Sequence, residues 1–287
     1  MLGVGFGLVT AAILALAAVA VSLQVSVTNF INFAYGDYLT FGAYMTWTFS
    51  RLGLNIVACV VLGGLATGIF GVLANWLVFR PFMKRRVRPT TLLIAGVGVS
   101  FILQSAIIMI WGPEPQRFNV GLGNSLQLGP FRFTPGDLVL IGSAAVLLIL
   151  LHVMLAYTKF GKSLRATSNN SDLALACGIN TSRVITQTWF VSGLLVAFAG
   201  VALVLEEGTL TPTTGFNELF IIFGAVILGG IGKPYGAMLG ALAVGIVTEV
   251  SGLYVNAAYK TSLAFLVVIV VLLFRPQGIF SAVGKTS

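Results

Sequence analysis

Residues 3–24, GVGFGLVTAAILALAAVAVSLQ, carry no charge, and the chain then changes character: Asn29 to Met45 reads NFINFAYGDYLTFGAYM, with two asparagines and an aspartate. About 20 mostly apolar residues suffice to cross a bilayer as a helix, so the first stretch predicts a membrane span. The second stretch decides what kind of membrane protein this is. Asn29, Asn32 and Asp37 are costly against lipid, so they belong either to a wet loop or to a path for solute. Gly36 lets the backbone unwind or pack closely, and irregular backbone is tolerated in a membrane where it lines a cavity.

The rest of the chain agrees with the first span. Of 287 residues, 57% are hydrophobic and 8% charged, against about 25% charged in soluble domains, and the mean hydropathy is +1.01. Apolar stretches at about 30–50, 54–79, 91–111, 136–157, 184–205, 217–232, 235–252 and 259–274 follow the first. They predict an all-α polytopic membrane protein of about eight or nine transmembrane helices, in one domain covering 1–287. Helices are required because an open sheet in lipid leaves backbone groups unsatisfied. The glycine-rich segment 217–252 is expected to hold short spans or a re-entrant pair.

Charge sets the expected orientation. The formal charge of +8 sits beside the spans and does not indicate nucleic-acid binding. RPFMKRRVRP (Arg80 to Pro89), the segment from Lys159 to Arg183, and Arg275 and Lys285 fall on one side, which the positive-inside bias makes cytoplasmic. The N-terminus is then outside and the C-terminus cytoplasmic. No basic region precedes the first span, so a cleaved signal peptide is not expected. Cys59 and Cys177 do not suggest a disulfide or a zinc site. Gly64 and Gly68, and Gly232, Gly236 and Gly240, recur at the four-residue spacing of close helix packing.

Few residues offer chemistry. His152, the single histidine, has no assignable nucleophile and reads as an interfacial residue. GGIGKPYG, Gly229 to Gly236, lacks the glycine spacing of a phosphate-binding loop and has Pro234 where Ser or Thr is needed. No catalytic or metal-binding cluster stands out, which leaves an intramembrane enzyme without support. Asp37 and Glu249 are the intramembrane acids, too few for an obvious ion relay. The segment YTKFGKSLRATSNNSDLALACGINTSRV, Tyr157 to Val184, predicts a short amphipathic helix lined by Leu164, Leu173, Ala174, Ala176 and Cys177 and stopped by Gly178. Lys162 and Arg165 at its start oppose the helix dipole. Such a helix suits lipid headgroups or a docking cleft on a partner.

Three blocks resemble the permease subunit of the branched-chain amino acid ABC importers, of the LivH type: NFINFAYGDYLTFGAYM, GKSLRATSNNSDLALACGIN (residues 161–180), and FGAVILGGIGKPYGAMLGALAVG (residues 223–245) with the closing FRPQGIF. Tyr35 stands where that family commonly has histidine, and relatives for urea, short amides or small acids share the architecture. The resemblance implies a homologous second permease (LivM-like), two ATP-binding subunits (LivG- and LivF-like), and an extracytoplasmic solute-binding protein. The chain itself would bind no cofactor, since ATP belongs to the partners. The expected pathway residues are Asn29, Asn32, Phe33, Tyr35, Gly36, Asp37 and Glu249. The expected ATPase-coupling residues are Gly161, Lys162, Arg165, Ala174, Gly178 and Ile179. The alternative is a stand-alone ion-coupled secondary transporter that depends on Asp37 or Glu249.

Overall fold

The structure is a computed structural model that describes residues 2–85, 87–118, 126–128, 131–254 and 260–274. Arg86, Arg275 and Lys285, and the closing FRPQGIF after its first residue, lie outside the described residues. The helices are α1 (Leu2–Thr28), α2 (Tyr35–Arg51), α3 (Ile56–Ala74), α4 (Arg80–Lys84), α5 (Pro89–Trp111), α6 (Pro135–Tyr157), α7 (Lys159–Asn169), α8 (Ser171–Ala176), α9 (Thr181–Glu207), α10 (Thr214–Gly229), α11 (Pro234–Tyr254) and α12 (Lys260–Phe274). Among the described residues the fold is all-α apart from a small antiparallel pair of strands, β1 (Leu126–Leu128) and β2 (Phe131–Phe133), between α5 and α6.

Six helical stretches among the described residues are long and apolar enough to cross a membrane: Gly7–Thr28, Ile56–Lys84, Pro89–Trp111, Pro135–Tyr157, Thr181–Glu207 and Pro234–Gly252. Three further elements are shorter than a simple span. α2 has 17 residues, α10 has 16 and α12 has 15, or about 22–26 Å at 1.5 Å per residue, against a hydrocarbon core of about 30 Å. Each of the nine expected stretches therefore contains a helix among the described residues, and three of these helices, α2, α10 and α12, are shorter than a simple crossing.

Burial follows composition. α1 is apolar on every side, which suits a helix enclosed by others, and from Ile13 to Val27 nearly all its residues are buried. α9 is the second central helix, buried from Leu195 to Val204 except at Phe198. α3, α5 and α6 keep one outward face, with Val57, Ile69, Ile102, Met109, Val139 and Ile149 exposed as for lipid or a partner. Close approach is made by small residues. A Cβ on Gly68 would meet Phe190 at 2.9 Å, and one on Gly245 would meet the Ala11 backbone at 2.5 Å. Gly64, Gly68, Gly236 and Gly240 therefore pack helices as their spacing suggests, whereas Gly232 lies in a loop at φ +74°.

The basic segment expected as a loop from Arg80 is helical to Lys84. α3 continues through a π-helical stretch η1 (Asn75–Phe79) into α4, with Arg80 N donating to Asn75 O. Pro81 explains the distortion. Its ring crowds the carbonyl four residues back and it has no N–H to give, and a π-helical turn absorbs the misfit. Pro89 then opens α5 at a position where the missing N–H is harmless.

Candidate functional site

The polar stretch after α1 is a turn, and α2 restarts beyond it. Asn29 takes φ +55° and gives its N–H to Val25 O at 2.9 Å. This is the left-handed cap that Asn accepts more readily than other side chains. Its side chain is exposed. Asn32 is buried, and its Oδ1 accepts the Ala34 N–H at 3.1 Å, fixing the turn. Tyr35, the first residue of α2, is also buried, and its hydroxyl donates to Ala20 O in α1 at 3.1 Å. The Tyr35 side chain thus faces the packed interior.

Asp37, in the first turn of α2, is wholly buried and held by two donors on α5. Ser100 Oγ donates to Oδ2, and Gln104 Nε2 donates to Oδ1 at 3.0 Å. Gly96 lies on the same face one turn earlier. A Cβ there would meet Asn32 Oδ1 at 3.0 Å and Phe33 N at 3.2 Å, so the 32–33 backbone presses onto α5 at that glycine. Ser100 is the middle residue of α5, which places Asp37 near half-depth of that span.

At the same depth a second helix begins. Gly36 in α2 and Gly215 in α10 are in backbone contact, each in the first turn of its helix. Thr40 Oγ1 accepts the Gly215 N–H at 2.9 Å and donates to Gly36 O at 3.3 Å. Two short helices thus bring their positive N-terminal ends together inside the bundle, where an anionic group is favoured. Beside this junction lies an aromatic cluster. Phe33 packs edge-on against Phe223 (5.3 Å between ring centres) and Phe220 (6.4 Å), and Phe220 meets Phe216 (6.3 Å). Phe220 and Asn217 are exposed on α10, so the cluster has an open side.

Glu249 is elsewhere. It lies half-buried on α11, and the Thr10 hydroxyl of α1 sits 3.1 Å from its Oε1 and 2.8 Å from Glu206 Oε1. Asp37 and Glu249 therefore have different partners, and the structure joins them in no shared network among the described residues.

The segment expected to be cytoplasmic forms two helices instead of one. α7 ends at Asn169, and Asn170 takes extended backbone to cap α8, its Oδ1 accepting the Leu173 N–H at 3.0 Å. Gly178, at φ +85°, closes α8: its N–H bonds Leu175 O and that of Ile179 bonds Ala174 O, both at 3.0 Å. This is a Schellman stop. Gly161 packs its backbone on Leu155 of α6, and Arg165 donates to Leu155 O at the end of that helix. Arg165 thus has a carbonyl partner that offsets its place near the start of α7. Gly161 and Ala174 are buried and anchor the element, Ile179 is half-buried, and Lys162, Arg165 and Gly178 are exposed. Leu173 and Leu175 stand 61% and 59% exposed on α8.

Other candidates take structural roles. His152 Nδ1 lies 2.9 Å from the Tyr235 hydroxyl. Gly229 and Gly236 touch backbone to backbone across the α10–α11 turn. Cys59 is buried and Cys177 exposed, and neither is bridged. Sequence reasoning missed Ser100, Gln104, Thr40, Gly215 and Leu175. The signal for the first two was present: Gly96, Ser100 and Gln104 fall four apart in an apolar helix. Gly215 had no local signal, since its partner is far away in sequence.

Comparison with known proteins bears on the whole chain. The family model described as branched-chain amino acid transport system / permease component matches residues 3–273. The high-affinity branched-chain amino acid transport system permease protein LivH of Escherichia coli is 29% identical over 92% of this chain and 90% of its own length. BraD of Pseudomonas aeruginosa, carrying the same description, is 28% identical over 95% and 93%. A probable branched-chain amino acid transport permease protein LivH of Methanocaldococcus jannaschii is 28% identical over 93% and 88%. Among solved structures, PsaBC from Streptococcus pneumoniae in complex with Fab shares the fold, with a TM-score of 0.51 and 15% identity over 96% of this chain and 92% of that one.

Proposed function

The chain belongs to the family of branched-chain amino acid transport permease components, and from this we propose that it is the membrane-spanning permease subunit of an ATP-driven importer for branched-chain or related small solutes. The junction of Gly36 and Gly215 carries the reading. Discontinuous helices in transporters place their N-termini where a substrate carboxylate binds, near the middle of the membrane. Here two such ends meet beside Phe33 and Phe220, which would receive an apolar side chain. A zwitterion with a branched side chain fits both halves. Asn32, Phe33, Gly36 and Asp37 form this element, with Tyr35 and Asn29 supporting it from the core and the α1 cap.

Relatives described as transport permease components also support a second permease, two ATP-binding subunits and an extracytoplasmic binding protein as partners. ATP hydrolysis is then a partner's task and the chain is no enzyme itself. α7 and α8 serve as the coupling element. Leu173 and Leu175 offer apolar side chains to an ATP-binding subunit, while Gly161 and Arg165 fasten the element to α6 so that its motion reaches the bundle. With this face cytoplasmic, the C-terminus is cytoplasmic too. A mild-detergent pull-down of the tagged chain from its native membranes, followed by leucine uptake in vesicles, tests the reading. Recovery of two ATP-binding subunits and ATP-dependent uptake are expected. Recovery of the chain alone, with uptake that follows an ion gradient, would instead favour a secondary transporter.

A further inference from the structure

A cavity of about 230 Å³ lies between η1, α4 and the start of α9, with a polar lining of Asn75, Arg80, Lys84, Thr181 and Ser182. Four observations give it a ligand. Asn75 is 2% exposed, and its Oδ1 has no hydrogen-bond partner among the described residues. A buried carbonyl oxygen without a donor is uncommon in folded proteins. Neither Arg80 nor Lys84 has a carboxylate partner among the described residues. The cavity also borders the N-terminus of a 27-residue helix, where Asn180 caps the Arg183 amide and the amides of Thr181 and Ser182 have no protein acceptor among the described residues. Such an end attracts anions. Lastly, Trp76 and Leu77, adjacent to Asn75, are 59% and 63% exposed, and an outward tryptophan is typical of the membrane–water boundary.

We propose that this cavity binds the phosphodiester headgroup of an anionic phospholipid. The phosphate sits between Arg80, Lys84 and the first turn of α9. A headgroup hydroxyl, as in phosphatidylglycerol, donates to Asn75 Oδ1, and the acyl chains run along Trp76 and Leu77. Basic pockets at helix ends hold anionic headgroups in this manner. Inorganic phosphate would meet the charges but not the exposed apolar pair. On η1, Asn75 is buried while Trp76 and Leu77 stay outward. The inference goes beyond the transport reading and needs only that this end of α3 and α9 meets the headgroup layer.

Native mass spectrometry of the full chain tests it, after extraction from vesicles of equal parts phosphatidylglycerol and phosphatidylcholine. One retained phosphatidylglycerol is expected. Retention should fall at least about tenfold in Arg80→Gln/Lys84→Gln, since each lost cation near a headgroup is worth on the order of a few-fold in affinity. Arg51→Gln, at the other end of the bundle, should retain it. Asn75→Leu should weaken phosphatidylglycerol more than phosphatidic acid, which has no headgroup hydroxyl. Unaltered melting of the double variant shows that it is folded. Equal retention in the double variant and the intact chain, or no preference over phosphatidylcholine, overturns the proposal. So does displacement of the lipid by millimolar inorganic phosphate, which assigns the site to free phosphate. Loss of ATP-binding subunits from the double variant with its lipid still bound also overturns it and makes the cavity a protein-docking site.

Discussion

Gly36 and Gly215 touch through their backbones, and no other residue fits at either position. A Cβ on Gly36 would stand 2.5 Å from Gly215 O, and one on Gly215 would come still nearer to Gly36 O. The contact holds the first turns of α2 and α10 together, with Thr40 bridging them.

Gly215→Ala and Gly36→Ala should therefore force the two helix ends apart. Overpacking of this kind costs about 1–3 kcal/mol. Gly98→Ala is the matched control, since its Cβ would meet nothing within 4 Å; it should be neutral, or stabilising by up to about 1 kcal/mol from helix propensity. Melting in detergent checks stability and leucine uptake checks function. Wild-type melting and uptake in Gly215→Ala would show that the two helix ends are not in contact in the working protein.

Asp37 and Ser100 should prove coupled. Asp37→Asn keeps the shape but removes a charge-assisted bond, and Ser100→Ala leaves the buried carboxylate one donor short, a loss of about 1–3 kcal/mol. Once Asp37 is Asn, the Ser100 hydroxyl is worth less, so the double variant should lose less stability than the sum of the singles, with an interaction of about 1 kcal/mol or more. A double-mutant cycle on thermal unfolding reads this directly. Strict additivity would mean that the Ser100 bond contributes nothing to holding α2 on α5.

The sequence made the membrane fold legible because lipid leaves so little choice. A long apolar stretch such as Pro89–Trp111 has to be a helix. Gly178 as a stop and Asp37 as a buried polar residue were visible for equally local reasons. The junction was not, because Gly36 and Gly215 are separated by most of the chain and a glycine in an apolar segment announces only that something is close. The single coupling helix expected from Gly161 to Ile179 became two because Asn170 caps as well as it breaks: its side chain offers the backbone an acceptor, and that is also a reason to start a helix afresh. The contact of the Tyr35 hydroxyl with Ala20 O in α1 was not legible either, because no local pattern announces it.

The separation of Asp37 from Glu249 bears on what drives transport. Asp37 is bound to Ser100 and Gln104, and Glu249 lies by Thr10 and Glu206. A carrier coupled to an ion through these acids needs one of them to gain and lose its ion within each cycle. Uptake should therefore persist when proton and sodium gradients are collapsed with ATP maintained. Glu249→Gln should leave it at half of wild type or more, since this half-buried change keeps a hydrogen-bonding group beside Thr10. Uptake that stops with the gradient while ATP is unchanged would reverse the assignment.

The proposed coupling element, α7 and α8, separates residues that hold it from residues that would act through it. Leu173 and Leu175 are exposed, and surface changes of this sort usually alter stability by no more than about 0.5 kcal/mol. Leu173→Asp/Leu175→Asp should then leave the chain folded in the membrane yet release the ATP-binding subunits in a pull-down, because a carboxylate entering an apolar docking cleft is left without a partner. Arg165→Glu should act differently. It replaces a donor at Leu155 O with an acceptor and places negative charge against the carbonyl end of α6, which is unfavourable, so α7 loosens from α6. Gly178→Lys strains the φ +85° stop of α8. Both should abolish uptake with the chain still present in the membrane, and Arg165→Glu should keep some ATP-binding subunit because Leu173 and Leu175 remain. Full uptake in both single variants would remove α7 and α8 from the coupling path and leave them a surface helix pair.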